Sequence, residues 1–99
     1  MKRDLRHDVV FRVWRAKPHE AVALWPAVQA SHICCQSYEH VGQHGGAEYD
    51  LVIRRTRPAR PDEYTDLLLE LRSLSYEPHV IQRATWQHHE TRRSAARAL

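Results

Sequence analysis

All three glycines of this 99-residue chain fall between Gly42 and Gly46, which limits where the chain can reverse sharply. Glycine reaches positive φ without a Cβ clash, so it commonly marks tight turns. The residues from Ile33 to Val41 alternate as those of a half-buried β-strand do, and so do those from Tyr49 to Thr56. The stretch therefore predicts a β-hairpin that carries His44 near its tip.

Two strands are predicted ahead of this hairpin. Residues 9–15 alternate between two faces and include two aromatic side chains, as strands often do. Residues 20–25 fit either a strand that pairs with the first one or a helix that would complete a ferredoxin-like βαββαβ order. Because Pro26 would end such a helix after two turns, the strand is favoured, with residues 26–32 as a connector.

The clearest helix signal begins at Pro61. Proline suits the first helical position, and the two carboxylates after it suit the positive end of the helix dipole. An apolar stripe at helical spacing follows from Tyr64 to Leu74. Ser75 is predicted to take the left-handed conformation that ends the helix, with Tyr76 folding back onto Leu71.

The C-terminal third predicts one more strand and one more helix. The strand covers residues 78–84, and the helix starts after Thr85 as N-cap, with Trp86 holding it to the body. The sequence thus predicts an α+β fold: an antiparallel sheet of four or five strands, an amphipathic helix packed on one face, and a basic C-terminal helix. The ferredoxin-like order is the alternative.

Length and composition indicate one domain over residues 1–99, with residues 1–7 and 95–99 expected to fray. Charged residues make up 27% of the chain and hydrophobic residues 42%, as in ordinary globular proteins. No apolar run approaches the roughly 18 residues that a membrane span needs. The basic N-terminus is not followed by the apolar segment of a secretory signal. A cytoplasmic protein with no membrane partner is expected.

Positive charge is unevenly distributed along the chain. No lysine or arginine lies between Ala21 and Ile53, whereas four arginines follow within seven residues and more lie near the C-terminus. Clustered arginines are typical of proteins that meet phosphates or an acidic partner. The predicted binding residues combine them with the polar and aromatic side chains of the hairpin: Tyr38, His40, Gln43, His44, Tyr49, Arg54, Arg55, Arg57, Arg60, Arg92 and Arg93.

These residue types favour a binding protein over an enzyme. Aromatic side chains on an antiparallel sheet can stack unpaired bases while arginines follow the backbone. We therefore expect a partner that is nucleic acid, or an acidic protein or ribonucleoprotein, and no cofactor. An inhibitor of a host-defence ribonucleoprotein is one form that this could take.

Two chemical alternatives stay open. In a metal-independent phosphodiesterase or ribonuclease, His40 and His44 would act as acid and base, with Arg54 or Arg55 stabilising the phosphorane. The same two imidazoles could instead share a metal ion. However, the helical H-E-x-x-H pattern is missing, so no metal site is predicted.

Three stretches carry a resemblance: residues 22–26, 37–49 and 56–64. Together they resemble a group of small proteins from bacterial chromosomes, plasmids and phages that has no assigned activity. The likeness extends from about Val9 to Arg93, and the run from His40 to Gly45 is its most specific part. It implies an accessory protein of mobile DNA, and it favours a strand over residues 20–25. The group's small polar residue before the helix proline is Arg60 here, and its glycine after the helix is Ser75.

Overall fold

The computed structural model describes residues 4–40 and 43–98, with the backbone only for Gln43 and His44. In these ranges the chain forms six strands and three α-helices after a short 3₁₀ turn at Leu5–His7. The strands are β1 (Asp8–Trp14), β2 (Ala21–Gln29), β3 (Cys35–Glu39), β4 (Gln43–Ala47), β5 (Thr56–Pro58) and β6 (His79–Ile81). The helices are α1 (Tyr49–Arg55), α2 (Pro61–Ser73) and α3 (Trp86–Arg97). The predicted α+β class is confirmed.

The strands form one sheet in the order β4-β3-β2-β1-β5. The short strand β6 runs parallel to β1 and lies beside its first half, whereas β5 is antiparallel and lies beside its second half. All other pairings are antiparallel. Because β2 occupies residues 21–29, the alternative ferredoxin-like order is not formed.

Helices cover both faces of the sheet, so the molecule has three layers. On one face the apolar stripe of α2 packs against side chains from the three central strands, and the buried members of this cluster are Val9, Phe11, Ala23, Trp25, Tyr38, Leu67 and Leu71. On the other face α1 packs through Tyr49 and Val52 onto β2 and β3. There α3 lies against β2, with the ring of His89 against that of Tyr49 at 4.8 Å. In the described ranges no helix is long and apolar enough to cross a membrane.

The second strand of the predicted hairpin is misplaced. Residues 49–55 form helix α1, and the strand that pairs with β3 is the preceding segment, β4. This short segment satisfies the periodicity of a helix as well as that of a strand, because Tyr49, Val52 and Ile53 are spaced as one face of a helix. That face packs on the sheet, which decides the outcome.

Two of the glycines lie inside β4 and not in a chain reversal. Neither Gly45 nor Gly46 adopts a left-handed conformation, and β4 places His44 opposite Tyr38 instead of at a hairpin tip. Gly42, the third glycine, lies outside the described residues. The need for glycine at position 46 comes from close packing. A Cβ there would lie 3.1 Å from the Cβ of Cys34 and 3.2 Å from that of Ala30.

Gly46→Ala is therefore expected to lower the free energy of unfolding by about 1 kcal/mol or more, since overpacking forces the backbone to shift. The two opposing Cβ atoms are fixed to the main chain and cannot rotate away. Gly45→Ala is the matched control, because its new Cβ would meet only the Ser37 hydroxyl at 3.8 Å. Urea unfolding of both variants measures the difference. An equal effect at both positions would contradict the packing argument.

Strand β2 is longer than predicted and contains Pro26. Proline lacks the N–H that a sheet requires, so it normally lies at an edge or a bulge. Here the register between β2 and β3 shifts between Trp25 and Gln29, and Pro26 lies within that irregular segment. The predicted connector over residues 26–32 was wrong because this bulge lets the strand continue through Pro26.

The ends of α2 and α3 follow the sequence signals. Helix α2 begins at Pro61, and Ser75 has a φ of 73° after its end. The N–H of Tyr76 donates to the Leu71 carbonyl at 3.1 Å, as in a Schellman cap. Helix α3 begins after Thr85 as predicted, but Trp86 does not hold it down because that residue is 72% exposed.

Candidate functional site

The predicted binding residues do not meet on one surface. Tyr38 is buried under α2, whereas Tyr49 is buried on the opposite face of the sheet beneath α3. Arg92 is also buried, and its Nη1 donates to the Pro26 carbonyl at 2.6 Å. The side chains of Gln43 and His44 lie outside the described part of the chain. Tyr38 faces α2 because successive side chains of β3 point to alternate faces of the sheet. Tyr49 belongs to helix α1, which covers the opposite face, so the two phenols are separated.

His40 lies at an acidic cleft of about 700 Å³ between α2 and the ends of β2 and β3. Its Nδ1 is 2.5 Å from Oε1 of Glu70, and the Tyr38 hydroxyl donates to the other oxygen of that carboxylate. Glu70 thus ties the end of β3 to α2. Five carboxylates line this cleft, from Glu20, Glu39, Glu63, Asp66 and Glu70.

The negative cleft disfavours the proposed phosphodiester chemistry. A phosphate entering beside His40 would meet carboxylates at short range, where like charges repel. Arg54 and Arg55, the intended stabilisers of the phosphorane, belong to α1 on the other face of the sheet. The described residues also contain no group of three or more His, Cys, Asp or Glu side chains that could hold a metal ion.

Arg57 and Arg60 both donate hydrogen bonds to Glu63 at the start of α2. Arg57 makes a bidentate pair with Glu63, with nitrogen–oxygen distances of 2.6 and 2.8 Å. The N–H of Arg60 donates to the same carboxylate at 2.9 Å. These bonds, with that of Arg57 the strongest, lower the pKa of Glu63 to about 2. Much of the positive charge here is compensated within the fold.

Arg54 and Arg55 form part of a separate group that we call the arginine surface, which consists of Arg15, Arg54 and Arg55. All three side chains are exposed. The Arg15 N–H donates to the Arg55 carbonyl at 3.1 Å, which joins the end of β1 to the end of α1. Within residues 4–40 and 43–98, no carboxylate lies within 4.0 Å of these three guanidinium groups.

Beneath this surface lies a fourth arginine that the sequence reasoning missed. Arg12 is only 9% exposed, and its Nε donates to the Thr56 hydroxyl at 2.9 Å. Its Nη2 donates to the carbonyls of Ile53 and Thr56 at the end of α1. A cation is favoured there because the carbonyl end of a helix is negative. Burial lowers the pKa of Arg12, but a guanidinium stays charged in proteins.

A buried ionisable cluster at the other end of β1 was also missed. Asp8 is fully buried, with Nε2 of His88 at 2.7 Å and Nδ1 of His79 at 3.2 Å from its two oxygens. The Thr85 N–H donates to Nδ1 of His88, so the proton of this imidazole is on Nε2 and points at Asp8. The cluster fastens α3 to β1. The sequence signal for this cluster was the position of Asp8, a carboxylate directly before an apolar strand.

The exposed face of α3 retains some charge. Arg93 is exposed, and no carboxylate within ion-pair distance of it is found in the described part of the chain. His89 is half-buried against Tyr49, and its pKa is lowered by burial and then by the charge of Arg92. The lowered pKa favours the neutral form of His89, so Arg93 is the main source of positive charge here.

Comparison of the chain with models of protein families, with curated proteins and with solved structures found no match.

Proposed function

We propose that this protein is a small accessory binding protein that contacts the phosphate backbone of nucleic acid through the arginine surface. The supporting observation is that Arg15 and Arg55 are joined through their main chains, Arg54 is adjacent, and no carboxylate of the described residues lies within 4.0 Å of these exposed guanidinium groups. Guanidinium groups pair bidentately with phosphate oxygens. We also propose that it is an accessory protein of mobile DNA and that it is located in the cytoplasm.

The scaffold under the arginine surface supports this role. Arg12 and Arg15 both donate to the Thr56 carbonyl, at 2.9 and 3.2 Å, so the end of α1 is held against β1. The exposed guanidinium groups therefore project from fixed main chain, which reduces the entropy lost on binding.

The charge distribution gives the molecule a preferred orientation toward a polyanion. The acidic cleft lies on the α2 side of the sheet, while α1 and its arginines lie on the other side. An approaching nucleic acid is attracted to one side and repelled from the other, which raises the rate of productive encounter.

Arg54→Ala and Arg55→Ala are each expected to reduce the salt dependence of nucleic-acid binding by one phosphate contact. For each variant, the slope of log K against log salt should fall by about 0.7 to 0.9. Fluorescence anisotropy with labelled oligonucleotides at several salt concentrations measures these slopes.

Arg72→Ala is the matched control, because Arg72 is an exposed arginine of α2. Its slope should equal that of the wild type. Salt-independent or undetectable binding by the wild type would refute the proposal and leave an acidic protein as the partner to test. An equal loss in Arg72→Ala would show that the arginine surface has no special role.

A further inference from the structure

A groove of about 910 Å³ lies between the 3₁₀ turn and α3, apart from the arginine surface and the acidic cleft. Leu5 forms part of one wall, and Trp86, Gln87, Thr91 and Ser94 of α3 form much of the other. Its size is within the range of about 300–1,000 Å³ that small-ligand sites occupy. It combines an aromatic ring with amide and hydroxyl groups, which can recognise a flat polar heterocycle.

Trp86 is the unusual residue of this groove. Its side chain is 72% exposed although tryptophan is highly buried on average in folded proteins. The fold does not use this indole to hold α3, because the buried residues of the helix are His88, Arg92 and Ala96. The ring is thus accessible, and it is attached to the first turn of a helix whose Thr85–His88 cap is hydrogen-bonded.

Two ion pairs lie at the groove. The two carboxylates that line it are each held by an arginine, Asp4 by Arg6 at 2.9 Å and Glu90 by Arg97 at 2.8 Å. These pairs offset the negative charge of the groove. They also place exposed guanidinium groups beside it, since the side chains of Arg6 and Arg97 are 68% and 63% exposed.

We propose that this groove receives an unpaired base of single-stranded nucleic acid, stacked on the indole of Trp86. The inference rests on the proposed function and specifies its substrate as single-stranded. Every base has a π-face that can stack on an exposed aromatic ring, whereas the bases of a duplex are already stacked.

The groove lies at the end of β1 opposite the arginine surface, but it is formed by a helix that covers the same face of the sheet as α1. Helices α1 and α3 lie on the same face of the sheet, in contact through Tyr49 and His89. The N–H of Ala84, two residues before Trp86, donates to the Tyr49 hydroxyl at 3.4 Å. One strand can therefore be attracted by the α1 arginines and bound in the groove without crossing to the acidic side.

The test compares binding of a labelled oligothymidylate and of a duplex of equal length by wild type, Trp86→Ala and Trp86→Tyr. Loss of one stacked base should weaken single-strand binding of Trp86→Ala by about 5- to 100-fold. Duplex binding should be unchanged, and Trp86→Tyr should retain most of the affinity. Leu69→Ala is the control, since it removes another exposed apolar side chain, from α2. Circular dichroism confirms that each variant is folded.

The two proposals fail in distinguishable ways. If wild type binds both oligonucleotides with the expected salt dependence but Trp86→Ala binds the single strand as well as wild type does, the groove inference is overturned and the arginine surface stands. Duplex binding as tight as single-strand binding by wild type also overturns it. If wild type binds neither probe, both proposals fall.

Discussion

Replacing His88 by alanine is expected to lower the free energy of unfolding by about 2–3 kcal/mol, because it removes the N–H that donates to a buried carboxylate. Asp8 is fully buried, and His88 Nε2 lies 2.7 Å from it. The exposed ring of His79, at 3.2 Å, stays as a weaker partner. The variant also loses the acceptor for the Thr85 N–H that caps α3.

Urea unfolding monitored by circular dichroism measures this loss. His19→Ala is the control, because His19 is exposed in the loop between β1 and β2 and should change stability by less than about 0.5 kcal/mol. The double variant Asp8→Ala/His88→Ala should lose less than the sum of the two single variants, because each single change already removes the Asp8–His88 hydrogen bond. Additive losses, or a small loss in His88→Ala, would show that the pair is not a structural unit.

Leu71→Ala is expected to lower the free energy of unfolding by about 2–5 kcal/mol, through lost burial and the cavity left behind. Leu71 is fully buried in the cluster that joins α2 to the sheet. A domain of this kind is stabilised by about 5–15 kcal/mol in total, so the change removes a large part of that.

Leu69→Ala makes the same chemical change on the same helix. Leu69 is 55% exposed, and its replacement should alter stability by less than about 0.5 kcal/mol. The difference between the free energies of unfolding of the two variants, measured with urea, separates the effect of burial from that of helix propensity. Similar losses at both positions would contradict the placement of α2 on the sheet.

These contacts explain why the conspicuous polar and aromatic side chains of the sequence do not form one site. Tyr38 is bonded to Glu70, Arg57 to Glu63, and Tyr49 lies under α3. Each of these groups holds two elements together. The residues that we propose for binding lie around them, at the exposed ends of α1 and α3.

Local signals predicted the elements that depend on neighbouring residues. Pro61 begins α2 and Ser75 ends it, because missing N–H groups and positive φ are properties of one or two residues. The strand in residues 20–25 was also predicted, because Pro26 leaves too little length for a helix. Residues 49–55 were mistaken for a strand because the apolar positions of so short a segment fit the period of a strand and that of a helix equally well.

The sequence by itself determined the α+β class, the limits of α2 and the start of α3, since these follow from backbone preferences and short-range periodicity. Only the tertiary structure decided which polar groups meet. Arg12 reaches Thr56 across 44 positions, and Asp8 reaches His88 across 80. Pairings so distant depend on how the sheet and helices pack. The same packing places Tyr38 and Tyr49 on opposite faces and leaves Arg54, Arg55 and Trp86 exposed.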